Sequence, residues 1–548
     1  MKALKGASAL LPGASDYAQL PRTWKNDLMA GITVGIVALP LALAFGVSSG
    51  AGAASGLITA IIAGIVAAVF GGSNIQVSGP TGAMVVVLAP VLANYGLSSL
   101  AVVTLMAGLV VLVAGVLKLG RAVSYIPWPV IEGFTLGIAV IIFLQQIPAA
   151  FGTAPGPSTN AAVSAIQALS TASLASMFWP VVLVLIVAAI MLGAPKIHPQ
   201  LPGSIIGIIV ATLVAQLAGL DVTRIGALPS ALPAPSLPSV DFAMVAALAG
   251  PAVTIAALAA IESLLSARVA ASISDTGPYD ADRELVGQGL ASLASGFFGG
   301  MPATGAIART AVNLRAGART RASAVVHSLV LLAVVYFATG PVSQIPLAAL
   351  SGVLMVTAFR MVSLNTLRSV LGSTRADTTV FIITAIITVS FDLIQAVAIG
   401  IVAAAFFALR SLVNSSGVHR EEIPGPAQDG DEQIAVFRLD GALFFGVADR
   451  VLERAGAIRN VQVVIIRMSQ LQILDATGAK VIADLVTALE RRGITVLIKG
   501  IQDRHLQLVR RVGVLESLRH HKHLFGELDA AVDHARSHVR RNRETQQP

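Results

Sequence analysis

Cysteine is absent from all 548 residues, which excludes disulfides and thiolate metal centres and leaves no sign of an oxidising compartment. Aromatic residues are scarce, with 3 tryptophans and 5 tyrosines, and charged residues make up only 12% of the chain. No nucleotide-binding loop of the G-x-x-x-x-G-K-[ST] type and no catalytic constellation occurs in it, so neither enzyme chemistry nor a catalytic residue is expected. His520, His521 and His523 lie close together, but no other ligand type flanks them. A solvated cluster is therefore the expectation, with no metal and no organic cofactor.

What the chain has in excess is apolar surface. It is 55% hydrophobic and carries 50 glycines, with a mean hydropathy of +0.80. That composition describes a polytopic α-helical membrane protein with a smaller soluble part, and its first partner is the lipid bilayer. The net charge of +8 would suit nucleic acid, but the basic residues sit between apolar runs and in the C-terminal part, so no nucleic-acid partner is expected.

Residues 1–26 hold no apolar core long enough for a cleaved leader and carry Lys2, Lys5, Arg22 and Lys25. They read as a retained cytoplasmic segment. A transmembrane domain over 27–413 follows, with apolar runs at 28–48, 54–71, a short one from 81, 98–117, 123–147, 177–194 and 203–219. After a proline-rich connection come 243–270, 285–300, a second short run from 304, 320–340, 345–360, 377–391 and 393–412. At ~20 residues per crossing these are about fourteen spans. Threaded from a cytoplasmic N-terminus, the inward connections hold Lys118, Arg121, Lys196, Arg268, Arg283, Arg315, Arg319, Arg321, Arg360, Arg368, Arg375 and Arg410, and the outward ones only Arg224. This asymmetry is the positive-inside pattern, and it places both termini in the cytoplasm of a cell bounded by this inner (plasma) membrane.

The chain is organised around an interruption that occurs twice. Phe70 to Met84 reads F-G-G-S-N-I-Q-V-S-G-P-T-G-A-M, and Phe298 to Arg309 reads F-G-G-M-P-A-T-G-A-I-A-R. Each copy ends an apolar run with Phe-Gly-Gly, passes a proline and reaches Thr-Gly-Ala: Thr81, Gly82 and Ala83, then Thr304, Gly305 and Ala306. Proline lacks an N–H and glycine weakens a helix, so a new helix begins after each proline, with its first amides unpartnered and the positive end of its dipole exposed. In a bilayer such backbone is tolerated only where it lines a cavity, and two facing ends would hold a small anion. The bland alternative is that glycine and proline merely kink ordinary spans. The short helices are the third and tenth spans, so they cross in opposite directions, as in seven-plus-seven inverted repeats with substrate bound near the midplane.

Few ionisable residues lie inside the spans. Glu262, Arg309 and Glu132 do, and a charge at a helix centre costs about 2.5–3.5 kcal/mol on insertion, so it faces a cavity or a partner. Ser266 shares a helix face with Glu262. A carboxyl in such low-dielectric surroundings is a candidate to take up a proton with substrate. Arg309 adds attraction for an anion or pairs structurally with Glu262. Glu132 reads as structural.

Val37 to Gly52, Ser78 to Ala83, Ile126 to Gly137 and Glu284 to Gly289 resemble the SulP anion permeases, the sulfate permease family, and most nearly their bicarbonate-transporting branch. The resemblance implies the inverted-repeat fold with core and gate domains, a homodimer, and anion binding between the third and tenth spans. Carried over by position, Thr81, Ala306 and their neighbours contact the anion, and Glu262 with Ser266 falls at the coupling-ion site. Sodium-coupled members of the bicarbonate branch have Asp at this position, whereas Glu262 is similar to proton-coupled ones, so H+ is preferred to Na+. The expected function is secondary active transport of a small inorganic anion, bicarbonate or sulfate, by alternating access. A sodium-coupled bicarbonate symporter, a dicarboxylate transporter, an uncoupled anion channel and a membrane anchor for signalling stay open.

After a linker (414–432), strand-like and helical stretches alternate over 433–535, the pattern of a small α/β domain. Leu439 to Gly446 and Leu474 to Ile482 resemble the STAS domain, which follows the membrane part in this family. The resemblance marks Thr477 as a phosphorylation position through which a cytoplasmic regulator would act. Asp475 and Thr477 as simple helix caps are the plainer reading. Residues 536–548 read as a basic tail, solvated or touching anionic lipid.

Overall fold

The computed structural model describes residues 10–121, 126–158, 160–198, 201–239, 241–390, 393–415, 417–443 and 460–546. Lys2 and Lys5, the start of the span expected from 123, and the end of the Leu439 to Gly446 stretch lie outside them. The chain divides into two units, Met1–Ala404 and Ala405–Pro548.

The first unit is helical. Its first half runs α1 (Leu20–Ser48), α2 (Ala53–Phe70), α3 (Gly82–Tyr95), α4 (Ser99–Val116), α5 (Trp128–Ala150), α6 (Ala161–Thr171), α7 (Leu174–Ile197) and α8 (Gly203–Leu217). The second runs α9 (Phe242–Ile273), α10 (Ala281–Phe297), α11 (Ile307–Arg315), α12 (Ala322–Phe337), α13 (Thr339–Ser343), α14 (Leu347–Met361), α15 (Leu364–Leu371), α16 (Arg375–Ser390) and α17 (Leu393–Ser415), whose residues past Ala404 count to the second unit. Each expected apolar run coincides with one of these helices, and among the described residues eight helical stretches are long and apolar enough to cross a membrane, one of them (Leu347–Leu371) being α14 and α15 taken together. The helices α6, α13 and α15 are short additions that the apolar runs did not mark.

The packing is paired as an inverted repeat requires. The helix α1 lies on α12 and, by the same relation, α9 lies on α4; α5 lies on α16 and α14 on α7; α2 meets α10, and α5 meets α14. Close approach depends on small residues. A side chain at Gly64 would run into Ser328, and one at Gly287 into the backbone of Phe70 and Gly71. Glycine and alanine at such contacts let spans touch along their backbones, which is how helices associate where lipid supplies no hydrophobic drive.

Buried polar clusters tie the ends of these helices. Glu284 is buried and accepts from the amides of Gly72 (2.8 Å) and Ser73 (3.1 Å) and from Nε2 of Gln76 (3.0 Å) and Gln288 (2.8 Å). Asp27, also buried, accepts from the Arg319 and Thr320 amides and from the Thr23 and Thr320 hydroxyls. Asp16, in a one-turn 3-10 helix ahead of the first span, is paired with Arg283 at 2.6 Å. That hydrogen bond holds its carboxyl down at about 2.

The second unit is an α/β domain. Strands β3 (Gly417–Glu421), β4 (Ile434–Leu443), β5 (Val463–Arg467), β7 (Thr495–Lys499) and β8 (Leu524–Phe525) lie side by side in that order, and β6 (Leu471–Leu474) pairs with β4. Among the described strands of this sheet only β3–β4 is an antiparallel pair. The helices are α18 (Ala476–Arg491), α19 (Asp503–Arg511) and α20 (Leu528–Gln546). One face of the sheet packs residues of α18 and α19 such as Ile482, Val486 and Val509, and the other packs Ala531, Val532, Ala535 and Val539 of α20. Both faces are thus covered, as parallel strands demand.

Two expectations are corrected here. Residues 417–421, expected in a linker, form the edge strand β3, because their backbone pairs with β4 in a register that no apolar alternation announces. The basic tail from Arg536 is instead the end of α20. Arg536 is paired with Asp431 at 2.8 Å, and Arg543 with Asp429 at 2.7 Å and Glu432 at 2.6 Å, so these two arginines hold an acidic turn while Arg540 and Arg541 stay exposed.

Candidate functional site

The two interruptions meet. Before α3 the chain is extended over β1 (Ser78–Gly79), before α11 over β2 (Thr304–Gly305), and the two pair antiparallel, Ser78 opposite Gly305 and Gly79 opposite Thr304. Proline and glycine have removed the helical alternative here, so the backbone groups of each extended segment find partners in the other. The two new helices therefore start side by side.

Thr81 caps α3 in extended conformation, and no side chain bonds the first amides behind it. Those of Gly82, Ala83 and Met84 point out with the positive end of the dipole. In the second copy the open amides begin two residues later than the Thr-Gly-Ala match implies. The Gly305 amide donates to Ser263 Oγ (3.0 Å) and the Ala306 amide to the Val77 carbonyl (2.9 Å), leaving Ile307, Ala308 and Arg309 to start α11 without a side-chain cap. Thr304 is fully buried, its hydroxyl 2.9 Å from Ser263 Oγ and 3.3 Å from the Ala259 carbonyl it donates to. Thr304 and Gly305, expected as anion ligands, are thus engaged in framing the site, because strand pairing and Ser263 take their polar atoms.

Glu262 lies where the two ends meet. Its carboxylate accepts from the Thr81 hydroxyl at 2.7 Å. The residue keeps accessible surface while Ser263, Ser266 and Thr304 around it are buried. Ser266 does not reach the carboxylate; its hydroxyl is 3.4 Å from that of Thr310, which accepts the Val77 amide at 3.1 Å.

Arg309 projects from the first turn of α11 into the space beside β1 and is 2% exposed. One guanidinium nitrogen donates to the Pro80 carbonyl, and Nη1 has no partner among the described residues. Gly79, at φ +151°, makes room for it: an added Cβ would lie 2.7 Å from Nη1. Arg309 and Glu262 feel each other's charge, yet each bonds elsewhere and no ion pair joins them among the described residues. On the other side Gly82 faces Phe45 and Ile142, which supply an apolar wall. Glu132 stands apart, accepting from the Trp128 indole at 2.9 Å one turn earlier on α5.

Sequence reasoning missed the shell that holds this geometry. Ser263, next to Glu262, secures β2, and the Gln288 side chain donates to Ser78 Oγ at 2.6 Å to secure β1 while also bonding Glu284. The spacing of Glu284 and Gln288, one turn apart in a helix, was the signal available. In the second unit Thr477 is exposed near the start of α18, and the cap is made by Asp475 alone, which accepts the Gly478 amide at 2.7 Å.

Two family profiles match the chain: the sulfate permease family over residues 24–384 and the STAS domain over 426–531. Among named relatives, the putative sulfate transporter YvdB of Bacillus subtilis is 34% identical, the match covering 90% of this chain and 95% of that protein. The bicarbonate transporter BicA of Synechocystis sp. is 32% identical, with 87% and 88% covered. Among solved structures, that of SLC26A9 superposes with a TM-score of 0.81 over 99% of this chain and 95% of that one, at 18% identity, a likeness of fold alone.

Proposed function

This chain belongs to the sulfate permease family, and on that premise we propose that it is a secondary active transporter of a small inorganic anion, bicarbonate or sulfate, working by alternating access and coupled to protons. The observation that carries the reading is the β1–β2 pairing, which sets two capless helix starts together with Glu262 between them. An anion there receives the amides of Gly82 and Ala83, those at the start of α11 next to Ala306, and the charge of Arg309. Backbone amides select charge and size rather than chemistry, which suits relatives named for sulfate and for bicarbonate alike.

Glu262 supplies the coupling. Ionised, it repels an anion a few ångströms away; protonated, it donates or is silent. Loading a proton with the anion therefore lowers the energy of both, a coupling free energy shared by the two sites. Ser266 is a positioning residue in this reading, holding α9 against α11 through Thr310. The protein acts in the inner membrane with both termini in the cytoplasm, as a homodimer whose C-terminal unit receives regulatory input.

The test is uptake into liposomes by purified protein, comparing labelled bicarbonate, sulfate and fumarate under imposed proton and sodium gradients. Saturable uptake of one inorganic anion driven by an inward proton gradient is expected. Drive by sodium with indifference to pH would overturn proton coupling, and voltage-driven current without stoichiometric coupling would make the scaffold a channel.

A further inference from the structure

We propose that the C-terminal unit carries a divalent-metal site of the zinc type, built from His523, His534 and His538. His523 ends the short 3-10 turn His521–His523 that leads into β8, and it is 4% exposed. His534 and His538 are one turn apart on the same face of α20. The three rings converge: their centroids are 5.6, 5.6 and 4.9 Å apart, and one ligand nitrogen from each lies within 4.8 Å of the other two.

The spacing is close to what a metal requires, although the His534–His538 contact is also within hydrogen-bond reach. The Nε2 atoms of His534 and His538 are 3.3 Å apart, and tetrahedral zinc with Zn–N bonds of about 2.0–2.1 Å requires ligand nitrogens roughly 3.3–3.4 Å from one another. Nδ1 of His523 is buried without a hydrogen-bond partner among the described residues, an orphaned polar atom that needs an explanation. Burial first, then the neighbouring histidines and Arg519, pushes His523 down to about 4, and burial lowers His534 and His538 as well.

Only one member of the sequence cluster takes part. His520 and His521 stack on each other with centroids 4.5 Å apart, and both are exposed. The other two ligands come from the following helix, which the primary sequence gave no reason to join to them. Three imidazoles leave a fourth position open. Arg519 and Arg541 add positive charge there, so water, hydroxide or a small anion completes the shell rather than a fourth cationic group. Because α20 packs on β4, β5 and β7, a metal shared between it and the turn before β8 would pin that helix to the sheet edge.

The experiment uses the full-length protein purified on a tag without histidine, stripped with chelator and titrated with Zn2+ and Co2+. Expected are one metal ion per chain, intense tetrahedral visible bands with Co2+, and slower hydrogen exchange across α20 on adding Zn2+. His534→Asn and His538→Asn, at half-buried positions, should each weaken binding at least tenfold, while His520→Asn and His521→Asn leave it unchanged. Binding unaltered in the first pair, weak octahedral Co2+ bands in the wild type, or no stoichiometric uptake by the folded wild type would each overturn the site.

Discussion

The hydroxyl of Thr81 donates to the carboxylate of Glu262 over 2.7 Å, so a charge carried by the second half of the chain rests on the cap of the broken helix of the first. Both residues adjoin the open start of α3, so an anion held by the amides of Gly82 and Ala83 has them as its immediate surroundings. On the proposed reading, ionisation of Glu262 and anion binding at these amides are linked through that hydrogen bond.

Glu262→Gln keeps an acceptor for Thr81 and removes the titrating group. Uptake driven by a proton gradient should fall on the order of 100-fold, while equilibrium binding of the anion changes by about threefold or less. Flux in liposomes beside calorimetric binding checks both. Gradient drive that survives the substitution would remove Glu262 from the coupling.

Arg309 meets a buried carbonyl, that of Pro80, with one nitrogen and leaves Nη1 unpartnered. Arg309→Lys replaces the planar fork with a single point charge that cannot serve both. KM for the anion should rise roughly tenfold with folding intact, because the charge is kept. Arg309→Met should also strand the Pro80 carbonyl and cost about 1–3 kcal/mol of stability. An unchanged KM in Arg309→Lys would mean that the guanidinium is structural.

Much of this architecture is legible in the amino-acid sequence, and what is not has physical causes. Glycine and proline punctuate a membrane helix so sharply that both interruptions, their order and their opposite directions follow from the residues. The pairing of Ser78 with Gly305 does not, since two-residue strands have no period to detect. Ser263 looks like any small residue at a helix contact until its hydroxyl is seen on the Gly305 amide. The open amides at Ile307 rather than Gly305 follow from that bond. In the second unit β3 hides among glycine, serine and proline, and α20 hides because its polar face is basic enough to resemble a tail.

Outside the membrane, Asp16 offers a pH test. Its carboxyl is held at about 2, below the ordinary 3.8, by the hydrogen bond from Arg283. A depressed acid stabilises the fold above its unfolded value and loses that contribution as pH falls through the folded one. Allowing for solvent screening, the pair is worth about 1–2 kcal/mol. Asp16→Asn should lower the apparent melting midpoint at pH 7 by a few degrees, and the gap to wild type should close between about pH 4 and pH 2. A gap that persists at pH 2 would assign the loss to packing instead of charge.

Thr477 tests whether the second unit receives a signal. The residue is exposed in the first turn of α18, and the capping bond belongs to Asp475, so its hydroxyl is not needed to start the helix. A phosphate there would sit on the positive end of the dipole, a gain offset in part by the adjacent Asp475 carboxylate. Thr477→Asp should therefore fold with a melting midpoint close to wild type, as should Thr477→Val. If a regulator reads this face, Thr477→Asp changes the transport rate in membranes at least twofold while Thr477→Val leaves it alone. Equal rates in all three proteins would confine Thr477 to the surface of the helix and take regulation away from it.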